Sequence, residues 1–428
     1  MLYYLVRPIA RLGTYVFFRK IYFANEDRVP RNKSVILAIN HPTGFMEPII
    51  MAVLLSKPLH FLVRGDFFSK KIYGSLLRAL HMIPIFRMRD TTGFSGVKSN
   101  FSTFEACYAG LKEGKIIMIF PEGRTELEKR LRPLQRGLVR IAFGTLERYP
   151  DLEDLYVVPV GVNFTDGEQA RSEVMINFGE PLSTRTFYQT GAVTEGDALL
   201  EALATAMAKN IVIVEDAADD ELAETLLTLD RNERREKIFP VIAADAACLW
   251  REKAIATRIN ELPGAEKEDV KMKASAYQKA LKAAGINDRA LAKSQKSGVG
   301  ELLFLILGCL PAWIGRAFCF LPAQLAQYIK AKRVRRLEYK LPVWAGVSWG
   351  MFLVYYLLWL LIAGLSGQWL ILLIAVCLGG LGYFGLYYFE YYAHWSNARR
   401  FQRLSSAQQA ALQQQRALLT TSLPPFTQ

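Results

Sequence analysis

The sequence predicts an α/β domain, a mixed and largely parallel sheet flanked by helices, followed by a helical insert and a C-terminal transmembrane helical hairpin. Three observations carry this. Between Val35 and about Leu182, short apolar or β-branched runs alternate with stretches of helical spacing, the pattern of a layered α/β fold. Residues 183–300 are charged and rich in Ala, Leu, Lys and Glu, which suits helices. Residues 343–392 are almost entirely apolar or aromatic, long enough for two bilayer crossings.

The chain divides in order into five parts. Residues 1–28 begin MLYYLVRPIARLGTYVFFRK, too short and too charged an apolar run to span, with no small-residue cleavage site of the usual kind. They suit an amphipathic helix in the bilayer interface, with an ordinary helix packed on the core as the competing reading.

Residues 29–185 hold the α/β domain. Val35–Ile39, His60–Val63, Met82–Phe86, Lys115–Phe120, Val157–Phe164 and Val174–Phe178 read as strands, and Pro159 suggests an irregular or edge position within the fifth. Phe101, Phe104, Tyr108 and Leu111 recur at helical spacing before Gly114 stops the helix, and 131–148 carries a second helical pattern. Open sheets of this kind place their sites at the carboxyl ends of strands. Two loops qualify, one after Asn40 and one after Phe120.

The first loop is the organising stretch, SVILAINHPTGFMEP from Ser34 to Pro48. A short continuous apolar run suits a strand buried on both faces, which delivers His41 to its carboxyl end. Thr43-Gly44 signals a turn. Pro48 fits the first position of a helix and disfavours the α region for Glu47, so the helix is expected to start there with Glu47 just outside it. A carboxylate six residues after a histidine across such a loop can return to one ring nitrogen and leave the other as a general base. The second loop, Phe120 to Thr125 (FPEGRT), presents Glu122, Arg124 and Thr125 around Gly123. A third strand end carries Arg87. Arg87, Arg124 and Arg136 together have the planar forks that clamp a phosphate bidentately.

Residues 186–300 read as a helical insert with turns at Pro263-Gly264 and Gly285 to Asp288, and contain no histidine. Residues 301–403 form the membrane region. Val343–Gly364 and Gln368–Tyr392 read as a hairpin flanked by Lys330 to Arg336 on one side and by Arg399, Arg400 and Arg403 on the other, so both outer ends are expected to be cytoplasmic. Residues 301–323 are interrupted by Gly308-Cys309-Leu310-Pro311 and hold Arg316; a re-entrant or interfacial pair of short helices is expected there, crossing an even number of times. Residues 404–428 read as a tail.

The formal charge of +13 points to an anionic partner. The apolar segments make lipid the first choice over nucleic acid. Five scattered cysteines have no paired spacing, excluding a disulfide framework or a metal knuckle. No metal or cofactor is expected.

The order NHPTGFMEP, IPIFR, FPEGRT with Pro133-Leu134-Gln135-Arg136-Gly137, then VVPVGVNF resembles the four motifs of the glycerolipid acyltransferase superfamily over roughly residues 30–185. That resemblance implies transfer of a fatty acyl group from a thioester, on coenzyme A or acyl carrier protein, to a hydroxyl of glycerol 3-phosphate or lysophosphatidate at the inner cell membrane. His41 would be the base and Glu47 its orienting carboxylate. Arg87, Glu122, Gly123, Arg124, Thr125 and Arg136 would bind the acceptor's phosphate headgroup. The sequence departs from the commonest pattern, because Met46 stands where an aspartate is usual and the acid follows as Glu47. Gln135 stands where many relatives have lysine, shifting the cationic burden to Arg136 and Arg132. The alternatives are another lysophospholipid or aminolipid as acceptor, or a catalytically silent lipid-binding membrane protein.

Overall fold

A computed structural model describes residues 2–85, 94–188, 193–234, 239–292 and 299–421. Strands β1 (Phe18–Ala24), β2 (Ser34–Ile39), β3 (Leu59–Arg64), β4 (Met82–Ile85), β5 (Ile116–Ile119), β6 (Leu155–Phe164), β7 (Ser172–Phe178), β8 (Leu182–Ser183) and β9 (Ile242–Ala243) form one sheet. Its order is β4-β3-β5-β2-β6-β7-β1-β9, with β8 pairing β6. All pairings are parallel except β6 with β7 and with β8. The predicted fold class is the observed one.

β2 is central because Val35, Ile36, Leu37, Ala38 and Ile39 are completely buried. Each large aliphatic side chain among them contributes roughly 1.5–3 kcal/mol of transfer free energy. A one-residue slip would exchange the faces these side chains pack against, so core packing also sets where the strand ends. Pro159 was expected at an irregular or edge position, and β6 is interior but irregular there. On one side it pairs with β2 through Ala38↔Pro159; on the other its partners change, β8 at Tyr156 and Val157 and β7 from Val160 onward. Proline occupies this handover, where its missing N–H is least costly, and its carbonyl accepts from the Gly179 N–H at 2.8 Å.

Helices α1 (Leu2–Phe17), α2 (Met46–Leu54), α3 (Lys71–Ala79), α4 (Phe94–Lys112), α5 (Gly137–Arg148) and α6 (Val193–Ala208) accompany the sheet. The N-terminal helix ends at Phe17, earlier than the expected boundary at 28, because Phe18–Ala24 is taken into the sheet beside β7. Tyr3 fixes α1: its ring stacks on His81, which stacks on His60, with centroids 4.4 and 4.5 Å apart. Burial pushes the His60 imidazole down to about 4, so this stack is apolar packing at neutral pH. Meanwhile α1 leaves Tyr4, Leu5, Ile9 and Leu12 exposed.

The remaining helices are α7 (Asp220–Glu233), α8 (Ala247–Glu261), α9 (Gly264–Ala284), α10 (Val299–Arg333), α11 (Lys340–Ser366), α12 (Trp369–Gln402) and α13 (Ser406–Thr420). The chain forms two compact units, one of residues 1–213, 238–250 and 336–342, the other of 214–237, 251–335 and 343–428. This division differs from the expected linear one. α6 belongs to the first unit, where Leu199, Leu203 and Met207 join the core against β2, β5 and α5, and the rest of the expected insert falls mostly in the second.

In the second unit α10 is a single helix with Pro311 and Pro322 inside it, where a break had been expected at 308–311. Apolar helices tolerate an internal proline when a neighbour compensates, and here the neighbour is close. A Cβ on Gly315 would lie 2.1 Å from the Leu381 carbonyl carbon, and one on Gly385 3.1 Å from the Ala312 oxygen. Small residues thus let the α10 and α12 backbones touch. Residues 300–333, 337–366 and 369–402 are each long and apolar enough to cross a membrane.

Candidate active site

The carboxyl ends of β2 and β5 are neighbours, with Ala38 paired to Ile119, so the two predicted loops emerge side by side. Asn40 extends the ladder by side chain: its amide donates to the Val162 carbonyl at 2.9 Å and accepts from the Val162 N–H at 2.7 Å. His41 follows immediately, its ring stacked on Phe120 with centroids 3.7 Å apart and planes 15° from parallel.

α2 begins at Met46, two residues before the expected start at Pro48, placing Glu47 in its first turn. Proline is tolerated at Pro48 because the N–H groups of a first helical turn have no intrahelical acceptor. Glu47 is completely buried, and one carboxylate oxygen accepts from the Thr43 backbone N–H at 2.6 Å and the Thr43 hydroxyl at 2.9 Å. The other oxygen lies 3.4 Å from His41 Nδ1. That contact is not aligned as a hydrogen bond, and both atoms are buried with no other hydrogen-bond partner. Such pairs are often long without substrate and tighten when it binds. The glutamate's added reach thus brings a carboxylate to the imidazole from one position further along the chain.

In the second loop Gly123 adopts φ +70°, a left-handed conformation natural to glycine. Its N–H closes the turn on the Phe120 carbonyl at 3.1 Å. Glu122 is buried; burial pushes its carboxyl up to about 7, opposed by the Arg132 charge and by a hydrogen bond from the His41 backbone N–H. Glu122 therefore ties the two loops together while lining the cavity in front of His41. Arg132 is a buried hub: it lies 3.5 Å from Glu122 and 3.2 Å from Glu126 and also pairs with Glu128.

A cavity of about 1630 Å³ opens in front of His41. Its lining combines apolar side chains such as Tyr3, Val6, Phe61, Leu77 and Met82 with Glu122, Gly123, Arg124, Thr125, Gln135 and Arg140. Of the residues expected to bind the headgroup, Glu122, Gly123, Arg124 and Thr125 line this space. Arg136 does not; it is drawn away into an ion pair with Asp197 of α6. Arg140, one helical turn later, lines the cavity, and its i+4 spacing from Arg136 was the available signal. Arg87 lies outside the described residues. Cys107 is buried in the core, its thiol pushed up to about 12 by burial, which leaves it unsuited to nucleophilic attack at neutral pH.

The described residues thus place a buried carboxylate behind a histidine on a large cavity lined by apolar side chains and by Arg124 and Arg140. Residues 20–163 match the Acyltransferase family, and the chain carries an acyltransferase domain of the glycerolipid acyltransferase superfamily. It is 28% identical over 187 residues to the 1-acyl-sn-glycerol-3-phosphate acyltransferase of Bacillus subtilis, covering 43% of this chain and 83% of that protein. Glycerol-3-phosphate O-acyltransferase 1 of Saccharomyces cerevisiae is 30% identical over 79 residues, 18% of this chain and 10% of that protein. Among solved structures, the 1-acyl-sn-glycerophosphate acyltransferase of Thermotoga maritima aligns with a TM-score of 0.36 at 14% identity, over 48% of this chain and 78% of that one.

The Glu122 environment yields a pH prediction. Its ionised form accepts from both Arg132 and the His41 N–H, so the loops are held best above its pKa. Removing a neighbouring cation disfavours the carboxylate and raises that pKa. Arg132→Met is therefore expected to move the acid limb of the activity profile upward from about 7, and Arg132→Lys to move it less. A limb that stays in place in Arg132→Met, measured as kcat/KM against pH, would dissociate Glu122 ionisation from Arg132.

Proposed function

We propose that this protein is a membrane-bound O-acyltransferase of phospholipid biosynthesis. It moves a fatty acyl group from a thioester, on coenzyme A or acyl carrier protein, to a hydroxyl of glycerol 3-phosphate or lysophosphatidate. The observation that carries this reading is His41, backed by buried Glu47, on a large cavity lined by apolar side chains and by Arg124 and Arg140. The activities for which the Bacillus and Saccharomyces relatives are named support the acceptor class.

In this mechanism His41 Nε2 takes the proton of the acceptor hydroxyl as its oxygen attacks the thioester carbonyl. Glu47 stabilises the imidazolium that forms. The tetrahedral intermediate expels the thiolate, which takes the proton back from His41. No acyl-enzyme is required. Arg124 and Arg140 hold the acceptor's phosphate, and the apolar residues hold the acyl chain. A cavity above the roughly 300–1,000 Å³ of small-ligand sites suits two substrates, one of them an acyl chain.

For the membrane, the α11–α12 hairpin with its basic flanks supports anchoring with the catalytic domain cytoplasmic at the inner membrane. The exposed apolar side chains of α1, and of Ile72, Tyr73 and Leu76 beside Lys70, Lys71 and Arg78 on and near α3, suit contact with an anionic lipid surface. One experiment addresses both parts. Sealed inverted inner-membrane vesicles carrying the protein are given acyl-coenzyme A or acyl carrier protein from outside, with glycerol 3-phosphate, lysophosphatidate or other lysophospholipids as acceptor. Acylation of one of the first two acceptors without breaking the vesicles is expected. Exclusive acylation of a different acceptor, or activity only after permeabilisation, would overturn the acceptor or the orientation respectively.

A further inference from the structure

The first unit includes a short segment far along the chain, residues 336–342, immediately before the apolar run of α11. The Glu338 carbonyl accepts from the Gly44 N–H at 2.9 Å, inside the loop between His41 and Glu47. The Tyr339 ring lies over the same glycine: a Cβ at Gly44 would sit 2.5 Å from Tyr339 Cδ1 and 2.6 Å from Cε1. Tyr339 also lines the cavity in front of His41. The segment is pinned on either side of the ring. Buried Glu338 pairs with Arg336, whose guanidinium lies 5.6 Å from the Tyr339 ring centroid, and Lys340 pairs with Glu168 of the β6–β7 connection.

We propose that Tyr339 is a positioning residue for the His41–Glu47 loop and a wall of the substrate cavity, so that the segment leading into α11 forms part of the active site. The reasoning is mechanical. Glu47 holds the loop from inside through Thr43; from outside, the neighbouring residue Gly44 is held by one hydrogen bond and one aromatic ring. Without the ring, Gly44 keeps one hydrogen bond to this segment, and the 3.4 Å separation of His41 and Glu47 loses the surface against which it can close. The cavity also gains the volume of a phenol. This inference rests on the reading of His41 as the base.

The test uses the full-length protein purified in detergent, with Tyr339→Ala, Tyr339→Phe, Gly44→Ala, the Gly44→Ala/Tyr339→Ala double variant and His41→Ala. Small displacements of catalytic groups cost up to about 100-fold, so Tyr339→Ala is expected to lower kcat by roughly 10- to 100-fold at unchanged melting temperature and to shift the preferred acyl length. Tyr339→Phe restores most of the rate because the ring, not the hydroxyl, meets Gly44. Gly44→Ala is damaging alone and adds little in the Tyr339→Ala background, a departure from additivity that reports direct contact. Unchanged kcat and chain-length preference in Tyr339→Ala, or additive effects in the double variant, would overturn the proposal. Loss in His41→Ala with Tyr339→Ala unaffected rejects only the role of Tyr339. Retained activity in His41→Ala with Tyr339→Ala impaired rejects only the base assignment.

Discussion

His41→Ala is expected to abolish acyl transfer while leaving the fold intact. General-base assistance contributes about 10²–10⁴ in rate, and the His41 imidazole lines the cavity with the Glu47 carboxylate behind it. Its side chain is 12% exposed, enough for a substrate hydroxyl to approach and too little for the ring to carry much of the core. Stability should therefore change little, the main loss being the stack on Phe120. Turnover measured beside a thermal melt checks both halves, and full activity in a folded His41→Ala protein would remove the base assignment.

Glu47→Gln is the second large effect, expected to cost between about 10² and 10⁴ in kcat; loss of the orienting carboxylate costs about 10⁴ in serine-protease triads. Glutamine preserves the size of the side chain, and its carbonyl can still accept from Thr43. Its amide group then faces His41 Nδ1 and donates to it. That donation selects the tautomer with its proton on Nε2, the nitrogen needed to receive the substrate's proton, and the imidazolium loses its counter-charge. Glu47→Ala is a poorer probe because it leaves the buried Thr43 N–H without its acceptor, at about 1–3 kcal/mol. Comparable rates in Glu47→Gln and the parent protein, with both melting alike, would show that the 3.4 Å contact has no catalytic role.

Much of the first unit was legible because its signals are local. A run such as Val35 to Ile39 fits a doubly buried strand whatever follows it, and β3, β4, β5, β6 and β7 lie where apolar runs placed them. Both site loops were legible for the same reason, as strands ending on chemistry-bearing residues. Errors and open choices arose where the outcome depended on a distant partner. For Pro159 proline's missing donor left an edge or an irregular position open, and only the strand order showed an interior strand whose neighbours change there. The expected break at Pro311 failed because glycines on α10 and α12 bring another helix close enough to stabilise an uninterrupted one.

The amino-acid sequence by itself determined the α/β class, the two loops, the histidine and glutamate worth testing, and the apolar helices, because 2.0- and 3.6-residue periodicities and turn residues are written in adjacent positions. The tertiary structure alone decided which side chains converge. It brought Glu47 to His41 through Thr43, turned Glu122 inward to Arg132, drew Arg136 away to Asp197 while Arg140 faced the cavity, and laid Tyr339 on Gly44 from nearly 300 positions away. Such meetings depend on strand order and on the packing of elements remote in the chain, which no local pattern encodes.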